Sequence, residues 1–317
     1  MTRAKRYQSA ELEIQLLREG IVESVHTGHA VVCDSRGRML SVAGNAETST
    51  FIRSSLKPFQ ALTVVTAGTL ERYELDDKDL AIMCASHQGH IDQVRQAFHI
   101  LWKAELEPSQ LQCPTPTNGK SPLEHNCSGK HAGMLALCQQ RNWPLESYLH
   151  RNHPLQFCII NTVSELLNMP ADEFISAHDD CGAPTFLVTL SQMASLFAKL
   201  ASGESLEMER IVRAMTQHPE LVAGPEAFDT KLMELTEGTL VSKSGAEGVQ
   251  CIGLVGQGLG LSIKIRDGAR RAKYAAAVHL LKQLGWISPD VSEHLADIYM
   301  IPSDYKRIDV QGDLSLM

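Results

Sequence analysis

Two apolar stretches rich in β-branched residues, 21–33 and 38–43, flank the polar tetrapeptide Asp34-Ser35-Arg36-Gly37. β-Branched side chains suit a pleated, half-buried surface and Asp and Gly suit turns, so the spacing predicts two antiparallel strands joined by a tight turn. The segment ahead of them, Tyr7-Gln8-Ser9-Ala10-Glu11-Leu12-Glu13-Ile14, reads as a polar lead. From about Ser54 to Gly68 the pattern predicts a buried helix, with Pro58 in a first turn whose N–H groups have no intrahelical partner anyway. An apolar run then ends at Ser86. Asp92 is placed to cap a helix that turns Val94, Ala97, Phe98, Leu101 and Trp102 toward a core.

The middle of the chain continues in helical periodicity. Helices are predicted from about Lys130 or His131, at 154–168 with Pro154 in the first turn, at 190–201 and at 204–217, with a polar, breaker-bounded stretch at 178–185. From Gly238 the pattern changes to three short runs separated by glycine turns, which predict a three-stranded meander. A last helix is predicted over 269–284, with Ala269, Ala272, Ala276, Leu280 and Leu281 inward. The ends supply strands and the centre supplies helices. The expectation is therefore an α+β fold in a single domain over 1–317. An antiparallel sheet lobe (about 20–60 and 238–317) is flanked by helices, and a helical lobe fills about 60–237.

Composition narrows the classes of partner. The 317 residues are 44% apolar, enough to bury a core, and the formal charge of -8 with a pI near 5.9 argues against nucleic acid or an anionic membrane as the main partner. No run of 18 apolar residues occurs and the start of the chain has no secretory h-region, so a cytoplasmic protein is expected. Eight cysteines in that setting are expected to be reduced.

The candidate chemistry begins with Ser54-Ser55-Leu56-Lys57. Residues three apart share a helix face, so Lys57 is a candidate base beside Ser54, a nucleophile at the positive end of the helix dipole. Alone, the pair reads more readily as an N-cap serine followed by a solvated lysine, since short motifs recur by chance. Ser303 and Lys306 repeat the spacing in a charged segment with no long apolar helix after it, and that copy is a decoy. Lys243-Ser244-Gly245 on a predicted strand changes the balance. A Ser-x-x-Lys at a helix start, a central serine (Ser86) and a Lys-Ser-Gly strand, in this order, form the motif set of serine β-lactamases and penicillin-binding proteins. Here the central element is Ser86-His87-Gln88, a departure from the Ser-x-Asn of those enzymes.

More of the chain carries a narrower resemblance. Residues 20–26 (GlyIleValGluSerValHis), 53–60 (ArgSerSerLeuLysProPheGln), 84–89 (CysAlaSerHisGlnGly), 125–134 (HisAsnCysSerGlyLysHisAlaGlyMet), 180–184 (AspCysGlyAlaPro) and 242–248 (SerLysSerGlyAlaGluGly) closely resemble the L-asparaginase II family of the Rhizobium etli type. The resemblance implies a serine β-lactamase/glutaminase-like fold and hydrolysis of L-asparagine to L-aspartate and ammonia in a single catalytic domain. It also implies two serine–lysine pairs, Ser54 with Lys57 and Ser86 with Lys243, and a zinc site on Cys127, Lys130 and Cys181, with no organic cofactor. A homodimer is the family expectation.

The chemistry can be laid out on these residues. Ser54 attacks the carboxamide, Lys57 accepts its proton, Ser86 relays protons between the lysines, and the backbone N–H of Ser54 with one near Gly245 or Ala246 holds the oxyanion. Arg53 and His87 are candidates for the substrate α-carboxylate and Asn126 offers an amide. From spacing alone, Cys127 and Cys181 fit buried thiols as well as metal ligands, and His131, Asp179 and Asp180 are candidate supports. The rival readings are a glutaminase, a penicillin-recognising acyl-serine hydrolase, and a non-catalytic amino-acid sensor.

Overall fold

The computed structural model describes residues 9–317; the basic start of the chain and Tyr7-Gln8 of the expected polar lead lie outside the described residues. Contacts divide the chain into two compact units: Met1–Ser55 with Val188–Gly203 and Lys231–Met317, and Leu56–Leu187 with Glu204–Thr230.

The first unit is an eight-stranded antiparallel sheet. Its strands are β1 (Leu12–Arg18), β2 (Ile21–Asp34), β3 (Met39–Ala43), β7 (Leu240–Ser244), β8 (Val249–Leu254), β9 (Leu259–Ile265), β10 (Lys306–Gln311) and β11 (Ser315–Leu316), in the order β10-β1-β2-β9-β8-β7, with β3 between β2 and β11. A short strand, β4 (Ser49–Phe51), leads out of this unit. The predicted turn between β2 and β3 is closed by Asp34, whose carboxylate accepts the N–H groups of Arg36 (3.0 Å) and Arg38 (2.9 Å), while Gly37 takes φ +77°.

Helix α7 (Leu190–Leu200) lies on β9, β2 and β8. Two glycines opposite each other in the ladder, Gly253 on β8 and Gly260 on β9, make that approach possible. A Cβ on Gly260 would stand 2.1 Å from the Ala194 carbonyl oxygen and 2.4 Å from the Ala198 nitrogen, and one on Gly253 would stand 2.8 Å from the Phe197 carbonyl oxygen. The Ser262 hydroxyl then donates to the Leu190 carbonyl (2.7 Å). Strand alternation sends buried Leu261, Ile263 and Ile265 to the other face. Helix α11 (Arg270–Gln283) packs on β10, β9 and β1, and α12 (Pro289–Tyr299) packs on α11.

The second unit is mainly helical: α1 (Lys57–Thr66), α2 (Thr69–Arg72), α3 (Asp77–Met83), α4 (Ile91–Lys103), α5 (Ser128–Arg141), α6 (Pro154–Leu167), α8 (Leu206–Gln217) and α9 (Pro219–Ala223). Strands β5 (Ser176–His178) and β6 (Pro184–Thr189) pair in it, and α10 (Phe228–Leu235) leads the chain back out. Helix α5 is buried from Ser128 to Cys138, and two glycines a turn apart admit α3: a Cβ on Gly129 would lie 2.1 Å from the Ile82 carbonyl oxygen, and one on Gly133 would lie 2.8 Å from the Met83 sulfur. Asp79 ties α3 to α4, accepting from His99 Nδ1 (2.9 Å) and Gln96 Nε2 (2.6 Å) in a fully buried position. No helix among the described residues is long and apolar enough to cross a membrane.

The antiparallel sheet from both chain ends, the three-stranded meander and the helical centre agree with the sequence reading. Several elements differ. The polar lead contains β1, whose Leu12, Ile14 and Leu16 alternate inward, and the charged tail pairs with it as β10. Both are strands because a neighbour completes them, and their own sequences are too polar to signal it. Residues 188–203, with α7, belong to the sheet unit, because the glycine pair opens a seat there. Helix α4 starts at Ile91 with His90 as its N-cap, so Asp92 lies inside the first turn. It buries Gln93, Ala97, Ile100 and Leu101, leaving Phe98 43% and Trp102 62% exposed; the helix is rotated from the predicted face because i,i+3,i+4 spacing fits two adjacent stripes. Ala269, expected inward, is the half-buried N-cap of α11.

Substituting Gly260→Ala drives a methyl into the backbone of α7, and the expected loss of stability is about 3 kcal/mol, read from the urea midpoint at constant m. An unchanged midpoint would mean that α7 can lift from the sheet without cost.

Candidate active site

The chain passes from Ile52 into a 3-10 turn, Arg53–Leu56, and then into α1, whose first residue is Lys57 and second is Pro58. Arg53 has φ +53°, so the turn begins with a left-handed residue other than glycine. Leu56 and Lys57 are buried, and Ser54 and Arg53 are half-buried.

Within the second unit, Lys57 is 0% exposed and its ammonium group donates to three oxygens: the Ala85 carbonyl, the Ser86 hydroxyl (3.0 Å) and the Asn126 carbonyl (3.2 Å). Two of these partners can only accept. In a neutral amine they take both N–H hydrogens, which leaves the nitrogen lone pair facing the Ser86 O–H. This is the arrangement a general base for Ser86 requires. Ser86 is held from behind: its N–H donates to the Val222 carbonyl of α9 (2.8 Å), and the next N–H, of His87, donates to the Asn126 carbonyl (3.2 Å).

His87 is committed inside the protein. Its Nδ1 accepts the Gly89 N–H (3.1 Å), so its Nε2 carries the hydrogen and donates to Ser128 Oγ (2.8 Å), which in turn donates to the Leu123 carbonyl (2.8 Å). Burial, then the positive charge of Lys57, push its pKa down to about 3. A buried, neutral, doubly bonded ring offers no cation to a substrate carboxylate. Asn126 is exposed, and its side-chain oxygen lies 3.1 Å from Cys127 Sγ.

The three expected metal ligands converge. Lys130 Nζ donates to Cys181 Sγ (3.1 Å), and Cys181 also hydrogen-bonds Cys127. The bond from Cys181, against the opposing effect of burial, holds the Cys127 thiol well below its usual range; the same bond, with burial, pushes the Cys181 thiol up. Burial pulls the Lys130 amine down, but Cys127, Cys181 and Asp179 outweigh it and hold the amine above its ordinary value. Among the described residues no group of three His, Cys, Asp or Glu side chains could hold a metal ion, so a metal here needs the lysine amine as its third donor. Two sulfurs suit a soft-accepting ion such as zinc, and the amine already points at them; the donor set fits once Lys130 gives up its proton. His131 Nδ1 shares a hydrogen bond with the Tyr148 hydroxyl (2.6 Å), and its Nε2 is buried with no partner among the described residues.

In the first unit, Lys243 on β7 is fully buried opposite Cys251 and donates to the Ser244 carbonyl (3.0 Å). Ser55 Oγ donates to the Lys243 carbonyl (3.1 Å), which fastens the Arg53–Leu56 turn to this strand. Gly245 leaves room for the same turn, since a Cβ there would lie 3.1 Å from the Ile52 carbonyl oxygen. Sequence reasoning missed two contributors. Lys273 is 3% exposed and donates to the Gly245 carbonyl (3.1 Å), though its position on α11 looked like any lysine on an amphipathic helix. Gln250 bridges Ser242 Oγ (2.9 Å) and Ser244 Oγ (2.7 Å) with no motif to mark it.

A sequence profile of L-asparaginase II matches residues 14–316, nearly the whole chain. The chain belongs to the L-asparaginase II family, a family of amidohydrolases. No curated protein matches it. Among solved structures, this L-asparaginase II chain is similar to the native form of Mglu (TM-score 0.51, 14% identity), covering 83% of this chain and 66% of that one. The chain thus spans just under two thirds of the length of Mglu. A β-lactamase from Mycobacterium bovis aligns over 86% of this chain and 95% of its own, at 13% identity and a TM-score of 0.45. The likeness to Mglu is one of fold alone.

The neutral His87 sets a pH dependence. Below the unfolded-state value near 6.5 the unfolded chain binds a proton that the native His87 refuses until about pH 3, so stability is full above pH 6.5 and falls as pH drops through that window. Between pH 7.5 and 5 this residue is expected to account for about 2 kcal/mol of lost stability, and urea unfolding of His87→Gln should show a correspondingly smaller loss. Equal losses in the two proteins would contradict a neutral, buried imidazole.

Proposed function

We propose that this amidohydrolase hydrolyses the side-chain amide of L-asparagine to L-aspartate and ammonia by serine–lysine acyl transfer. The observation that carries the reading is the fully buried Lys57 amine, 3.0 Å from Ser86 Oγ, with two carbonyls taking its other hydrogens. In this reading the Ser54 oxygen bonds to the carboxamide carbon. The proton it gives up enters the relay at Ser86 as the Ser86 hydrogen passes to Lys57. The relay then returns a proton to the leaving nitrogen, the C–N bond breaks, and ammonia departs from a β-aspartyl ester. Water hydrolyses the ester and restores Ser54, so one amide and one water become one acid and one ammonia.

Lys243 is the second lysine of the set, and Arg53 is the remaining candidate for the substrate α-carboxylate, given the committed ring of His87. Asn126 contributes through its carbonyl, which orients Lys57, and Gly245 through its backbone at the strand end. Zinc would be held by Cys127, Lys130 and Cys181, and when bound it would supply a positive charge able to orient the carboxylates of the amino acid.

Steady-state ammonia release from L-asparagine and L-glutamine tests the reading. Ser54→Ala and Lys57→Met are expected to lose about a thousandfold or more in kcat, Ser86→Ala about a hundredfold, and L-asparagine to be preferred. Turnover of Ser54→Ala comparable to that of the parent would remove Ser54 as the nucleophile, and preference for L-glutamine would move the assignment to a glutaminase. Separately, metal analysis of protein grown with zinc should find about one zinc per chain, absent in Cys127→Ser and Cys181→Ser, with a lower melting temperature after chelation. Full zinc content in both variants would dismiss the site.

A further inference from the structure

Helices α1, α5 and α6 leave a cleft of about 370 Å³ on the second unit, and no residue of the Lys57–Ser86 or Cys127–Lys130–Cys181 clusters lines it. Its walls are mixed in a specific way. Trp143, Leu137 and Ala67 supply apolar surface, Arg141 comes from the end of α5, Glu165 from the last turn of α6, and Thr63 and Thr162 join α1 to α6 through their hydroxyls at 3.2 Å. Neither Arg141 nor Glu165 makes an ion pair or a side-chain hydrogen bond among the described residues. Arg141 and Cys158 both line the cleft.

A guanidinium and a carboxylate in one opening usually find each other. Here they sit on separate helices and make no ion pair with each other among the described residues, and aromatic and aliphatic surface also lines the opening. A ligand that satisfies all three features carries an anion for Arg141, a cation for Glu165 and an apolar group for Trp143 and Leu137. The volume is in the range of small-molecule sites, roughly 300–1,000 Å³. The planar guanidinium suits a carboxylate bidentately. An aliphatic side chain matches the Trp143, Leu137 and Ala67 surface, on which an amide would give up water for no hydrogen bond.

We propose that this cleft binds a free α-amino acid with an aliphatic side chain, its carboxylate on Arg141, its ammonium on Glu165 and its side chain against Trp143 and Leu137. The site is independent of the acyl-transfer reading. It does, however, abut the C-terminal turns of α1, the helix that begins with Lys57, so occupancy would brace the element that carries the buried amine.

Cys158 is a built-in reporter, because it lines the cleft and is half-buried, while the other seven cysteines are buried. The test is the rate of Cys158 alkylation by iodoacetamide on the native protein, followed by peptide mass spectrometry, with and without L-leucine at about 10 mM. L-Leucine is expected to slow the reaction about fivefold or more, whereas 4-methylpentanoate and 3-methylbutylamine, each lacking one charge, do not. Arg141→Ala and Glu165→Gln are each expected to weaken protection about tenfold in concentration. Every variant is compared with itself plus and minus ligand, so altered thiol reactivity cancels, and ammonia release from L-asparagine should be unchanged in both. The proposal fails if saturating L-leucine leaves the rate unaltered, if either single-charge analogue protects as well, or if both variants keep full protection.

Discussion

A lysine amine with no solvent exposure is the constraint around which the second unit is arranged. Removing an ammonium group from water costs several kcal/mol unless other dipoles replace the water. Lys57 meets that requirement with three oxygens from two separate loops: Ala85 and Ser86 after α3, and Asn126 before α5. The loops are therefore held at a fixed distance from the start of α1. Two of the oxygens belong to carbonyls that cannot donate, so the hydroxyl of Ser86 is the single partner through which a proton can enter or leave.

The same loops connect the amine to the cysteine cluster. Asn126 presents its carbonyl to Lys57 and to the His87 N–H, and its side-chain oxygen to Cys127, whose sulfur is bonded in turn to Cys181 and thence to Lys130. One residue thus spans the serine–lysine pair and the thiols. His87, with Ser128, anchors the other side of that loop as a neutral donor and acceptor. The polar groups here are shared out with little to spare, as buried networks must be if they are to hold one geometry.

Apolar packing supplies the frame by an opposite device, the deletion of side chains. Gly129 and Gly133 let α5 touch α3, and Gly253 and Gly260 let α7 touch the sheet, with backbone atoms where a Cβ would stand. Such contacts are rigid because nothing between the backbones can yield. They hold α3, and so the Ala85–Ser86 loop that follows it, against the helix that begins beside Cys127.

Much of this was legible in the residues themselves. The β2–β3 turn announced itself through Asp34 and Gly37, α1 through Pro58, the late meander through its glycines, and the six stretches that include Ser54, Lys57, Ser86 and Lys243 resembled the family that the whole-length match bears out. These are local signals, carried by side-chain chemistry and period within a few residues. What the order of residues left open was set by distant neighbours. β1 and β10 are strands only because each completes the other, α4 buries one of two equally spaced stripes, His87 is consumed by Gly89 and Ser128, and Lys57 meets Ser86 across 29 positions of chain. Periodicity and motif spacing register what a segment is suited to touch; the partner that satisfies a buried polar group is chosen in three dimensions, where the cost of leaving it unpaired is first felt.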